Sequence, residues 1–176
     1  PVSSSGHLEI GKVLLRADVE ESLTFTVVVH GATVLSTIVV FFGEIRKIFL
    51  GSLHFRYNES TRYVLKILLS MIPVLLLGLF FEEQIESLFG GRLVLVGSML
   101  LITAALLGFT YFRKKEGNRN IPYLDAFIMG IAQALAVLPG ISRSGATIAT
   151  GLILGNKRAE VAQFSFLMVL LPIIGA

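Results

Sequence analysis

Cysteine is absent from all 176 residues. That excludes a disulfide framework and thiolate chemistry, although it says little about compartment. Charge is also scarce: Asp, Glu, Lys and Arg make up only 15% of the chain, against about 25% in soluble proteins. The net charge of +3 is small, and the bases cluster in short connecting segments. A nucleic-acid partner would want a basic stripe on a water-facing element, so none is expected. No basic n-region precedes an apolar run at the start, so no signal peptide is read there. The opening proline instead suggests an internal part of a longer chain.

What fills the chain is apolar. Hydrophobic residues reach 54% and the mean hydropathy is +0.80, which is the composition of a membrane protein. Three segments have the roughly 20 residues needed to cross the hydrocarbon core: Leu23–Phe42, Tyr63–Phe81 and Leu93–Phe112. A fourth, Val161–Ala176, is still apolar where the sequence stops. Pro73 is expected to kink the second span, which neighbouring helices can tolerate. Lys66, near that span's start, can snorkel to the interface.

The connecting segments give an orientation. Arg46, Lys47, Arg56 and Arg62 lie between the first two spans, and Glu82, Glu83 and Glu86 follow the second. Arg113, Lys114, Lys115 and Arg119 come after the third. Basic connections stay in the cytoplasm, which places 43–62 and 113–120 there. Residues 121–158 break this pattern. Ile121–Leu138 is marginal for a crossing and Ala146–Leu154 is about half of one, yet another basic connection follows at 155–158. A re-entrant hairpin resolves the conflict: a helix enters from the cytoplasm, turns at PGISRSG (139–145) and returns. Irregular backbone at membrane depth is tolerated only where protein buries it or it lines a cavity.

A second stretch resembles this turn. Ser3-Ser-Ser-Gly6 lines up with Ser142-Arg-Ser-Gly145, each with a proline upstream and a short apolar run downstream. With three spans between them, the two stretches have opposite orientation, the plan of inverted repeats whose broken helices meet near mid-membrane. The expected architecture is all-α: a polytopic membrane helix bundle forming one domain over 1–176. It would contain two re-entrant helix–loop–helix hairpins in an inverted-topology repeat, about 1–115 and about 120–176.

Together the two loops offer chemistry suited to an anion. Arg143 carries a planar fork that binds phosphate oxygens in pairs and stays charged when buried. Gly140 and Gly145 permit close backbone approach, and a helix starting near Ala146 would point amides and a positive dipole at the ligand. Ser144 and Thr147 would lie in its first turn. His7 can act as acid, base or nucleophile near neutral pH, and Ser3, Ser4 and Ser5 are candidate nucleophiles. Plainer roles suit other residues. Gly97, Ser98, Gly108 and Gly151 read as packing residues, and His30 and Gln133 as interhelical hydrogen-bond partners. Asp125, after Pro122, reads as a first-turn acid. For Arg143 the plainer alternative is a structural salt bridge.

"PVSSSGHL", then "LAVLPGISRSGATI", then "FSFLM" followed by a proline resemble the undecaprenyl-diphosphate phosphatase family associated with bacitracin resistance. The resemblance covers essentially the whole chain. It implies removal of the terminal phosphate of undecaprenyl diphosphate, which regenerates a lipid carrier for cell-wall glycans in the bacterial cytoplasmic membrane. It also implies a multi-pass fold whose active site opens toward the outer face, with the lipid bilayer and a homodimer among its partners. By resemblance, Ser4, His7 and Arg143 match catalytic positions, and Ser3, Ser5, Ser142, Arg143, Ser144 and Thr147 substrate-binding ones. Ser5 stands where many members have threonine. The family's acidic motif, a glutamate-rich stretch ending in EFLPVSS, would precede Pro1, and with it the ligands of a divalent metal, Mg2+ or Ca2+. The chain alone is therefore expected to be inactive.

Other functions fit less well. A phosphatidic-acid-phosphatase type wants a histidine six residues after its arginine, and position 149 is alanine. The nucleophile elbow of a serine hydrolase is absent, because Gly140-Ile-Ser-Arg-Ser144 ends in serine. An inverted-repeat transporter of an anionic lipid or solute is the alternative from a different class.

Overall fold

A computed structural model describes residues 3, 6–7, 10–11, 14, 23–52, 58–86, 92–112 and 117–175, with the backbone alone for 23–30, 52, 82, 86 and 171–175. Every named element among them is a helix: α1 (Leu23–Val40), α2 (Phe42–Ser52), α3 (Glu59–Glu86), α4 (Leu93–Phe112), α5 (Tyr123–Leu135), α6 (Arg143–Ile153) and α7 (Arg158–Gly175).

The expected apolar segments are helical, with two differences. The first apolar segment ends at Val40, and after a turn at Phe41 the chain continues as α2 through residues expected to be a connection. Its pattern explains this: Phe41, Ile45 and Ile48 pack on the core at helical spacing, while Glu44, Arg46 and Lys47 face outward. In α3 the backbone runs helically through Pro73, and the non-helical residue is Phe81 (φ −131°, ψ 18°). Losing one N–H does not stop a long apolar helix, whereas at Phe81 the apolar run gives way to Glu82 and Glu83. Lys66 sets its ammonium 5.7 Å from the centre of the Tyr123 ring, a cation–π contact at the start of α5.

Glu59–Phe81 and Leu93–Phe112 are long and apolar enough to cross a membrane. Each buries only 11% of its apolar window, unlike the core helix of a soluble protein. Leu79 and Phe80 on α3 and Val94, Leu101 and Phe112 on α4 are all exposed. This surface suits lipid, not water.

Helices α5 and α6 form a hairpin of 13 and 11 residues, about 20 and 17 Å long at 1.5 Å per residue. Neither spans about 30 Å of hydrocarbon. Its open end is clamped by polar groups. Asp125, in the first turn of α5, accepts from Arg119 Nη2 at 2.8 Å and from Asn156 Nδ2 at 2.8 Å. Arg119 also donates to the Leu154 carbonyl at 3.2 Å, and its own carbonyl accepts from Lys157 N at 2.9 Å. Helix α6 closes with Gly155 at φ 87°, Gly155 N bonding Leu152 O and Asn156 N bonding Gly151 O. These paired bonds satisfy the last carbonyls and turn the chain back beside residues 117–120.

The core lies among α3, α5 and α7, around Met129, Val161, Phe164 and Met168. Tyr63 meets Phe164 edge-on, ring centres 5.6 Å apart. Backbone contact is close where Gly130 of α5 crosses Ser70 of α3; a methyl group on Gly130 would overlap the Ser70 carbonyl. Gly151 is a packing residue, as expected, against Val161 and Met129. Among the described residues nothing lies within 4 Å of a methyl added at Gly97 or Gly108, so no packing partner is seen for either. Ser98, exposed on the same helix, bonds its own Leu95 carbonyl at 2.7 Å. Gln133 differs from expectation too: it is fully buried, and neither amide atom has a hydrogen-bond partner among the described residues. The side chain of His30 lies outside the described residues.

Candidate functional site

The second motif forms the tip of the α5–α6 hairpin. Ala136 ends α5, and Val137, Leu138 and Ile141 each bond back three residues, to Ala134, Leu135 and Leu138. Gly140 adopts φ 100°, a left-handed conformation that glycine accepts without steric cost. It also lies against α4, where an added Cβ would come 2.6 Å from the Val96 carbonyl oxygen. Both constraints demand glycine.

Helix α6 begins at Arg143, three residues before the expected start. Ser142 is its N-cap, with extended φ −78° and ψ 115°, and its Oγ accepts from Gly145 N at 3.1 Å. A serine here satisfies one of the amides that a helix leaves open at its start. The consequence for the site is direct. Arg143 is the first helical residue, so its side chain springs from the positive end of α6.

Arg143 is half-buried, and no carboxylate pairs with it among the described residues. The structural salt bridge therefore finds no support in this region. A guanidinium with no carboxylate partner among the described residues, at a helix N-terminus, is an arrangement chemically suited to an anion. Ser144 is half-buried, its Oγ 3.5 Å from that of Ser142. Thr147 is placed differently: it is fully buried, donating to the Arg143 carbonyl at 2.9 Å or that of Ser144 at 3.2 Å, with Ser165 Oγ of α7 at 2.6 Å. Its hydroxyl ties α6 to α7 instead of facing a cleft.

In the first motif, Ser3 is buried with φ 57°, a left-handed value uncommon outside glycine. Its Oγ accepts from Gly6 N at 3.4 Å and its carbonyl from His7 N at 3.3 Å. His7 is exposed, and its Nδ1 lies 2.8 Å from the Ser3 carbonyl oxygen. A carbonyl only accepts, so Nδ1 carries the proton and the neutral ring has its lone pair on Nε2. Ser4 and Ser5 lie outside the described residues.

The two motifs meet. A Cβ on Gly6 would lie 3.1 Å from Gly140 Cα and 3.2 Å from Leu100 Cδ2 of α4. The second loop is held to the same helix by Thr103, whose Oγ1 accepts from Ser142 N at 3.2 Å and faces the Gly140 carbonyl oxygen at 3.2 Å. Sequence reading passed over Thr103 and Ser165, because each sits alone in an apolar helix with no neighbouring signal. Thr103 lies ten residues into the 20-residue α4, about 15 Å along its axis. Both loops thus contact α4 around its middle.

The donors at this junction are hydroxyls, one imidazole and one guanidinium. No group of three or more His, Asp or Glu converges among the described residues, whereas Mg2+ and Ca2+ prefer several carboxylate or carbonyl oxygens. The described residues do not fit such a cation by themselves.

Two long apolar helices, a short clamped hairpin and two serine–glycine loops in contact define an all-helical protein of membrane type. The chain belongs to the bacitracin resistance protein BacA family, whose model matches residues 1–176. An undecaprenyl-diphosphatase of Bacteroides fragilis is 58% identical over 99% of this chain and 66% of its own length. One of Parabacteroides distasonis is 57% identical over the same shares. One of Methanococcus vannielii is 39% identical over 100% of this chain and 70% of its own length. The chain spans about two thirds of the length of the curated relatives it matches.

Proposed function

We propose that the complete protein hydrolyses undecaprenyl diphosphate to undecaprenyl phosphate and inorganic phosphate. The observation that carries this reading is Arg143, with no carboxylate partner among the described residues, at the start of α6 in the loop that abuts the His7 motif. It agrees with the diphosphatase names of relatives up to 58% identical. Arg143 would grip the diphosphate and offset charge as the terminal phosphoryl group transfers, which is most of the catalytic task in phosphoryl transfer. The Nε2 lone pair of His7 would take a proton from the attacking water, or from Ser4, or attack phosphorus itself. In each case the bond to the bridging oxygen breaks and undecaprenyl phosphate leaves; where Ser4 or His7 is the nucleophile, water must then hydrolyse the phosphoenzyme to release inorganic phosphate. Ser142 and Ser144 would add hydrogen bonds at the anion, with Ser3 and Thr147 shaping the two loops. Dependence on Mg2+ or Ca2+ would have to rest on carboxylates other than the described ones.

The membrane arrangement belongs to the same proposal. A hairpin too short to cross, clamped at its open end and touching α4 near its middle, supports a re-entrant loop reaching mid-membrane. The contacts of Lys66 with Tyr123 and of Lys157 with Asn120 support one shared cytoplasmic side for the basic segments. The first motif would then begin an inverted repeat in the bacterial cytoplasmic membrane, and the site would open outward. The test is phosphate release by the full-length protein from undecaprenyl diphosphate in detergent. Stoichiometric release of inorganic phosphate is expected. Movement of the lipid across vesicles without hydrolysis would overturn the reading in favour of a carrier.

A further inference from the structure

We propose that Thr103, in the middle of the long helix α4, is the positioning residue that sets the Arg143 loop. Ser142 is the link between the two. As the N-cap of α6 it has extended angles, and its own N–H points out of the helix. Ser142 is buried, with 4% of its surface exposed, so that N–H needs an internal acceptor. Among the described residues the acceptor is Thr103 Oγ1, at 3.2 Å.

The same hydroxyl faces two carbonyls, Met99 of its own helix at 3.1 Å and Gly140 of the loop at 3.2 Å. Threonine in a membrane helix commonly turns its proton back to the carbonyl four residues earlier. Whichever carbonyl takes the proton, the oxygen keeps a lone pair for Ser142 N–H. Thr103 therefore brackets Ile141 from both sides, at Gly140 and at Ser142, and the residue after Ser142 is Arg143. The loop's own bonds, each reaching back three residues, close before Ser142. Among the described residues, Thr103 is the side chain from outside the motif that hydrogen-bonds this stretch to α4, and it thereby sets the register of the guanidinium. Thr103 touches neither a substrate nor a reacting atom in this arrangement; it acts through Arg143.

The activity arm of the test rests on the phosphatase reading, and the structural arm does not. Thr103→Val keeps the shape without the hydroxyl, and Thr103→Ser keeps the hydroxyl. In the full-length protein in detergent, amide hydrogen exchange over residues 138–145 is measured without substrate. The kcat and KM for a polyprenyl diphosphate are measured separately. The valine variant should exchange at least tenfold faster over that stretch, with kcat/KM down at least tenfold, and the serine variant should resemble the unmodified protein in both. Unchanged exchange in the valine variant overturns the proposal. So does an equal loss in the serine variant, which would assign the effect to the methyl group. Faster exchange in valine alone, in a protein that hydrolyses nothing even unmodified, upholds the clasp and removes the phosphatase reading instead. Should the valine variant fail to fold, Thr103→Ala removes the same hydroxyl and takes its place.

Discussion

Arg119 and Arg143 stand at opposite ends of the short α5–α6 hairpin, and the protein treats them in opposite ways. Arg119 gives its charge to Asp125 at 2.8 Å and a further hydrogen bond to the Leu154 carbonyl, although its side chain is 62% exposed. Arg143 is half-buried and has no carboxylate partner among the described residues. Desolvation alone would demand the reverse, because the more buried charge has the greater need of a partner. An internal carboxylate at the tip would compete with any anionic ligand. The difference sets a clamped open end against a tip whose charge has no carboxylate among the described residues, as the proposed anion site requires.

The sharpest way to break this comparison is to make the same substitution at both ends. In the full-length protein, Arg143→Lys should lower kcat/KM about a hundredfold, or about 2.7 kcal/mol of transition-state stabilisation, because a point charge cannot reproduce the paired fork. Arg119→Lys should cost about 0.5 kcal/mol of stability, as for an exposed ion pair, with activity changed less than threefold. Equal losses at the two positions would end the assignment of Arg143 as the anion-binding residue.

A change on the carboxylate side should have a smaller effect. Asp125→Ala leaves Asn156, fully buried, with its amide short of an acceptor. It also removes the acid from the first turn of α5. The loss should be about 2 kcal/mol, most of it from the stranded amide because the exposed arginine is solvated. Thermal unfolding in detergent measures it. If Asp125→Ala were as stable as the unmodified protein, the clamp would not hold the hairpin's open end.

Much of this division could be read from the residues. Leu93–Phe112 was legible to the residue, because uninterrupted apolar length is a strong signal. The polar tip was legible because an arginine amid apolar residues has few innocent explanations. Other features were hidden. Helix α2 was obscured by its bases, although Ile45 and Ile48 already carried the helical spacing. The start of α6 was misread because Gly145 resembles a loop residue, while Ser142 supplies the cap that lets the helix begin at Arg143. Thr103 and the close crossing of Gly130 with Ser70 could not be read at all. Each depends on which helices become neighbours, and no local pattern records that.

The smallest expected effect separates the two serines at the tip. Ser142 Oγ accepts from Gly145 N, whereas Ser144 Oγ lies 3.5 Å from Ser142 Oγ and caps nothing. Ser142→Ala should therefore cost about 1 kcal/mol of stability, the usual loss at an N-cap. Ser144→Ala should stay within about 0.5 kcal/mol. Their effects on turnover need not follow that order, since either hydroxyl can reach toward an anion held by Arg143. If Ser144→Ala loses activity at unchanged stability, its hydroxyl works on the ligand. If Ser142→Ala loses activity only in proportion to its unfolding, that serine serves the helix alone. Equal stability in the two variants would show that the cap contributes nothing. Arg143 would then owe its position to α4, not to the start of its own helix.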